Sequence, residues 1–102
     1  MGQELTDHTY PDTIKGTEGG VVLFFKEHCP HCKNMEKVLE KFTKMQTGVA
    51  IYHIDSEKNP GAMAAFGVQR VPCLLVVKQG NVAAKKAGLM NPKEMNAFYE
   101  SV

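Results

Sequence analysis

Three largely apolar runs punctuate the chain: Val21-Val22-Leu23-Phe24-Phe25, Val49 to Ile54, and Cys73-Leu74-Leu75-Val76-Val77. Each predicts a β-strand. The first and third are apolar without alternation, the pattern of strands covered on both faces. Between the first two runs, Met35, Val38, Leu39, Phe42 and Met45 recur at spacings of three, four or their sums. This places them on one face of a helix that begins near Pro30 and ends before Gly48. Proline is tolerated in a first helical turn, and glycine suits the left-handed residue that stops a helix. Strand, long helix, strand is a βαβ unit, so the flanking strands should run parallel.

Shorter signals complete the layout. Asn59-Pro60 reads as a cap followed by proline at the first helical position, with Met63 and Phe66 on one face and Gly67 after them. Lys78-Gln79-Gly80-Asn81 predicts a tight turn from the third strand into a β-hairpin partner over Val82 to Ala87. A closing helix is capped by Asn91, opened by Pro92 and reinforced by Glu94 three residues after the cap; Met95, Phe98, Tyr99 and Val102 form its apolar stripe. Before Val21, Leu5, Tyr10 and Ile14 anchor at most a short strand and helix, because Gly16, Gly19 and Gly20 interrupt anything longer. The fold class is α/β, a sheet flanked by helices.

Composition narrows the function. A length of 102 residues fits a single domain over 1–102, and 43% hydrophobic with 23% charged residues is a globular composition. A formal charge of +1 leaves no basic excess for nucleic acid. No run approaches the ~20 apolar residues of a membrane span, so no membrane partner is expected. The start, Met1-Gly2-Gln3-Glu4-Leu5, lacks the basic and apolar regions of a secretory signal. The expected compartment is therefore the cytoplasm, or the periplasm if a leader has been removed. Three cysteines, two close and one distant, suit redox or metal chemistry better than a disulfide framework.

Cys29 and Cys32 stand where a strand hands over to a helix, with Cys29 near the N-cap. Unpaired N–H groups and the helix dipole stabilise a thiolate there, and the thiolate is the form that attacks disulfides. Two residues apart on one turn, the pair can close into a disulfide with little backbone movement, one cysteine attacking and the other resolving. As half of a zinc site the pair would need a second pair at similar spacing, which Cys73, His8 and His53 do not supply. A second class of function remains: a metal or iron–sulfur protein using His28, Cys29, His31, Cys32 and Cys73.

Cys29-Pro30-His31-Cys32-Lys33, Asp55, Asn59-Pro60-Gly61, Phe66-Gly67-Val68, Val71-Pro72 and Lys78-Gln79-Gly80 follow one another in the order seen in thioredoxins. From Val21 to its end the chain resembles that family. The resemblance implies a thioredoxin fold, a mixed central sheet flanked by helices, with Pro72 cis and facing the cysteine pair. It implies a protein disulfide oxidoreductase in which Cys29 is the nucleophile and Cys32 the resolving thiol. Pro30 and His31 complete the catalytic motif, and Val71, Pro72 and His28 lie on the substrate side, Val71 offering its backbone to an extended segment as a short added strand. Protein disulfides and a thioredoxin-reductase-like electron donor are the implied partners; no cofactor is needed, no metal is assigned on this reading, and a monomer is expected.

Several positions differ from the family pattern. Pro30-His31 replaces the usual Gly-Pro and resembles the strongly oxidising periplasmic disulfide oxidases, whose large helical insertion has no room in 102 residues. A donor from His31 to the Cys29 thiolate would make the couple more oxidising than an ordinary thioredoxin. His28 stands where thioredoxins carry Trp, and Leu23 and Ile51 fall where they carry a buried acid and its lysine neighbour. The base for Cys32 is then left among water, His28, His31 and Glu27. Cys73 reads as a small buried core residue before a third thiol or a ligand, and His53 as a half-exposed face residue.

Overall fold

A computed structural model describes residues 2–102. The elements, in chain order, are β1 (Gln3–Leu5), α1 (Tyr10–Lys15), β2 (Gly19–Phe25), α2 (Pro30–Met45), β3 (Ala50–Asp55), α3 (Pro60–Ala65), β4 (Cys73–Lys78), β5 (Asn81–Ala87) and α4 (Pro92–Glu100). The strands form one sheet in the order β1-β3-β2-β4-β5. β3 pairs in parallel with β1 and β2, as the βαβ unit requires, whereas β4 is antiparallel to both β2 and β5. The expected mixed sheet is present.

The absence of alternation in β2 and β4 follows from their place in the middle of this sheet. Val21, Leu23, Leu74 and Val76 face one way and pack with Met35, Leu39 and Phe42 of α2 and with Met95 and Tyr99 of α4. Val22, Phe24, Leu75 and Val77 face the other way, toward Ile14 of α1 and Ala62 of α3. Burying each such side chain contributes roughly 1.5–3 kcal/mol, so both apolar layers help hold the sheet between its helices. The outer strand β5 has only partial cover and alternates, with Lys85 and Lys86 keeping its edge polar. In the β4–β5 turn, Gln79 (φ 52°) and Gly80 (φ 79°) are both left-handed, the geometry that matches the twist of a two-residue hairpin. A Cβ on Gly80 would also lie 2.6 Å from the Lys15 carbonyl oxygen, so this hairpin and α1 can meet only over a bare backbone.

Four expectations need correction. Met45 is half exposed, because α2 ends there and the chain turns off through an extended Gln46, two residues before Gly48. Val102 lies outside the apolar stripe, because α4 stops at Glu100; its carbonyl accepts a hydrogen bond from the Lys78 amine (3.0 Å), which also sits 4.0 Å over the Tyr99 ring. His53 is buried rather than half exposed, since β3 lies between β1 and β2, with Glu4 and Leu23 as its strand partners.

The fourth concerns the cap of α3. Asn59 precedes the helix, but its side chain is engaged elsewhere: its amide donates to the Asp55 carbonyl (2.9 Å) and its oxygen accepts from the Asp7 N–H (2.8 Å). The capping is done by Asp7, whose carboxylate accepts from the N–H groups of Gly61 (3.0 Å) and Ala62 (2.7 Å). Asp7→Ala is therefore expected to destabilise the fold by about 1–2 kcal/mol, the usual cost of a lost cap, and Asp7→Asn by less. A urea midpoint unchanged in Asp7→Ala would show that these bonds do not hold α3. At α4 the capping box forms as expected: Glu94 N–H donates to Asn91 Oδ1 (2.8 Å), and Asn91 N–H to Glu94 Oε1 (2.9 Å).

Candidate active site

β2 ends at Phe25, whose carbonyl accepts from Ser56 N–H (2.7 Å), fixing the end of β2 to the chain that follows β3. From there Lys26, Glu27 and His28 carry the chain to the helix. His28 has φ 58°, a left-handed conformation that histidine enters more readily than most residues. Cys29 follows in an extended conformation as the N-cap of α2, and Pro30 opens the helix. The Cys29 sulfur takes the place of the usual capping oxygen, accepting from Cys32 N–H at 3.2 Å. Both thiols are free and almost wholly buried.

The two sulfurs differ chemically. Burial pushes the Cys29 thiol up, but this is outweighed by hydrogen bonds from the Cys32 thiol and N–H, by the Lys26 charge and by the His31 N–H, and the net pKa lies below the ordinary thiol value. The Cys32 thiol is pushed up to about 11, by burial first and then by donating to Cys29. Cys29 is thus the more acidic thiol, and Cys32 holds its proton the more tightly. Alkylation of the dithiol protein is expected to modify Cys29 first at neutral pH. Lys26→Met should move its midpoint upward, and His31→Ala, which keeps the N–H, should move it less. Faster alkylation of Cys32 at pH 7 would reverse the roles of the two cysteines.

The Val71–Pro72 peptide bond is cis, as expected. Val71 and Pro72 share a hollow of about 290 Å³ with His31, Arg70, Gly88 and the half-exposed Leu89. The Pro72 carbonyl accepts from Gly88 N–H (2.9 Å), which ties that hollow to the end of β5. His28 is placed elsewhere, in a hollow of about 280 Å³ that it shares with Cys32, Lys26 and Glu36. His31, Val71 and Pro72 therefore line one hollow, while His28 and Cys32 line another.

Cys73 lies in the core layer that contains Phe24 and Leu75, and burial pushes its thiol up against the pull of Lys85. The metal-binding alternative is not realised. Among the described residues no three His, Cys, Asp or Glu side chains stand close enough to hold an ion, so His28, Cys29, His31, Cys32 and Cys73 form no such site. Lys26 is the influence on the site that motif reading passed over. Its signal in the sequence is a cation three residues before the nucleophile.

Two free thiols of unequal acidity at the start of a helix, with His31 between them lining an exposed hollow, constitute a thiol–disulfide oxidoreductase centre. The thioredoxin family model matches residues 2–101, and the chain belongs to the thioredoxin family. It is 25% identical over 99 residues to thioredoxin of Pseudomonas aeruginosa, covering 95% of this chain and 92% of that protein. Thioredoxin of Streptomyces clavuligerus is 30% identical over 97 residues, with 88% and 91% covered. Among solved structures, reduced desulfothioredoxin from Desulfovibrio vulgaris Hildenborough superposes with a TM-score of 0.88 at 42% identity, covering 99% of this chain and 97% of that one. The family brings with it disulfide substrates and reductase partners in general. No helix among the described residues is long and apolar enough to cross a membrane.

Proposed function

We propose that the chain reduces disulfides of protein substrates, with Cys29 attacking and Cys32 releasing. The observation that carries this reading is the Cys29 sulfur at the N-cap of α2, accepting from Cys32 N–H at 3.2 Å, which makes Cys29 the more acidic of the two thiols. The Cys29 thiolate attacks one sulfur of the substrate disulfide, forming a mixed disulfide while the other sulfur leaves as a thiolate. Cys32, once deprotonated, attacks Cys29 Sγ; the bond to the substrate breaks, the Cys29–Cys32 bond forms, and two electrons have passed to the substrate. A thioredoxin-reductase-like donor returns the pair to the dithiol.

Pro30 starts the helix whose N-terminus supports the thiolate. His31 contributes its N–H to Cys29 and its exposed ring to the hollow beside Val71 and Pro72. That hollow is the place for an extended substrate segment, with Leu89 supplying apolar contact and Val71 the main-chain pairing. His28 borders the opposite side, where a partner protein would meet Cys32. Residues 1–102 act as one domain and as a monomer.

The reading is tested by comparing substrates. With a dithiol donor, kcat/KM for a disulfide-linked unfolded polypeptide should exceed that for a small disulfide of equal potential by at least about tenfold, one hydrogen-bonded or apolar contact's worth. Equal values would mean that the hollow recognises nothing beyond the two sulfurs.

A further inference from the structure

The release step needs a proton acceptor for Cys32, and among the described residues none stands at the two family positions beneath the pair. Leu23 and Ile51, at the places where the family carries an acid and a lysine, are buried in the apolar layer under α2. Directly opposite Leu23 in the sheet, however, stands the buried His53, with Glu4 as its partner on the other side. Its ring meets Phe25 edge-on (6.1 Å, 82°). A Cβ on Gly2 would lie 2.8 Å from His53 Cε1 and 3.0 Å from Nδ1, so bare glycine lets the main chain close over the imidazole. The remaining space is a hollow of about 320 Å³ lined by His53, Phe25, Glu4, Glu36 and Glu40.

Glu36 belongs to both hollows. It is one helical turn after Cys32, on the same face of α2, and it lines the Cys32 hollow as well as that of His53. A half-buried carboxylate thus stands between a thiol that must lose a proton and an imidazole that can take one. Both hollows open to solvent and have room for bridging water. The charged and titratable groups facing Glu36 are Lys26, Glu27 and His28 from the loop, Lys33 and Glu40 from α2, and Glu4 and His53 from the sheet. Burial pulls the His53 pKa down, against the carboxylates of Glu36 and Glu4, so the imidazole is neutral, and able to accept, at neutral pH.

We propose that Glu36 accepts the Cys32 proton, through water, during substrate release, and that His53 behind it takes the proton onward. The inference rests on the assignment of attack to Cys29 and release to Cys32. In the step itself the Cys32 proton moves to a Glu36 carboxylate oxygen, the Cys32 thiolate bonds to Cys29 Sγ, and the substrate sulfur leaves with the electron pair and is protonated by solvent. The proton on Glu36 passes to the His53 imidazole and from there to water.

The test is stopped-flow reaction of the dithiol protein with 5,5′-dithiobis(2-nitrobenzoate), in a Cys73→Ala background so that only the pair reports. The first thionitrobenzoate released measures attack by Cys29, the second measures attack by Cys32. Glu36→Gln should leave the first phase within about twofold and slow the second at least about tenfold at pH 7, a conservative share of the about hundredfold or more that a positioned base contributes. Its second phase should then rise tenfold per pH unit between about pH 6 and 9, where the unsubstituted protein rises more gently; Glu36→Asp should restore part of the rate. His53→Gln should slow the second phase as well, and the double variant should be no slower than Glu36→Gln alone. An unchanged second phase and pH profile in Glu36→Gln would overturn the proposal, as would an equal fall in both phases. A single phase in the Cys73→Ala protein itself would instead remove the two-cysteine assignment on which the proposal stands.

Discussion

Cys32→Ser is expected to turn the protein into a trap that becomes covalently attached to its substrates and does not let go. Cys29 is the more acidic thiol and attacks; Cys32 releases. Cys29 keeps its N-cap position, its contact with the residue 32 N–H and the Lys26 charge after the substitution, so attack on a disulfide proceeds. Serine at position 32 cannot attack Cys29 Sγ, because an alkoxide is not formed at neutral pH and an S–O bond would not replace the S–S bond. Mixed disulfides should accumulate on non-reducing gels, while turnover falls by more than about a hundredfold. Cys29→Ser should lose turnover to the same extent without trapping anything. Cys73→Ser should keep turnover, since that sulfur belongs to the apolar layer of Phe24 and Leu75. Inactivation by Cys73→Ser, with its fold intact, would refute the two-cysteine mechanism.

The second large effect is expected in stability. Leu23 is fully buried and Ile51 nearly so, on the same face of neighbouring strands. Leu23→Asp would place a carboxylate under α2 without a cation to pair with, at a cost of about 3–5 kcal/mol. That is a large part of the ~5–15 kcal/mol that holds a typical domain together. Burial raises the folded-state pKa of such a carboxyl above its unfolded value, so the folded state binds more protons. The penalty therefore grows as pH rises through the unfolded value and shrinks in acid. His53 directly opposite offsets little at pH 8, being neutral there. Adding Ile51→Lys should recover about 1–2 kcal/mol by coupling across the strands. Urea unfolding at pH 5 and pH 8 checks both points. A Leu23→Asp protein as stable as the parent at pH 8 would mean that water reaches this layer.

These two results draw on features that were legible to different degrees in the sequence. Residues 21–25 and 73–77 could be placed at the centre of the sheet because unbroken apolar character has one cheap explanation, cover on both faces. Cys29 could be placed at a helix start because Pro30 and the spacing of Met35, Leu39 and Phe42 locate the first turn. Contacts between distant segments were less accessible. Asn59 carried every local mark of a cap, yet Asp7, more than fifty residues earlier, fills that role because β1 and α1 bring it there. His53 alternated like a half-exposed residue, and only the arrival of β1 beside β3 and of Glu36 above it buries the ring. Lys26 acts on the sulfurs through space, which no hydrophobic period records. Local pattern located the chemistry, and the groups that tune it came from the packing.

The Asp7 clamp also bears on how the molecule comes apart. Asp7 joins the segment between β1 and α1 to Asn59 and the first turn of α3, by three hydrogen bonds that each span more than fifty residues of chain. A six-residue helix such as α3 is too short to persist alone in water. It survives on its packing and on that clamp, so fraying that begins in the first residues releases α3, and loss of α3 frees them in return. The two are therefore expected to open as a single unit, with faster amide hydrogen exchange there than in β2, β4 and α2. Cys29 and Cys32 sit at the start of α2, and Val71 on the loop that follows α3. If the hollow beside Pro72 holds an extended segment, as proposed above, loosening of that unit would widen the entrance to it without disturbing the two sulfurs.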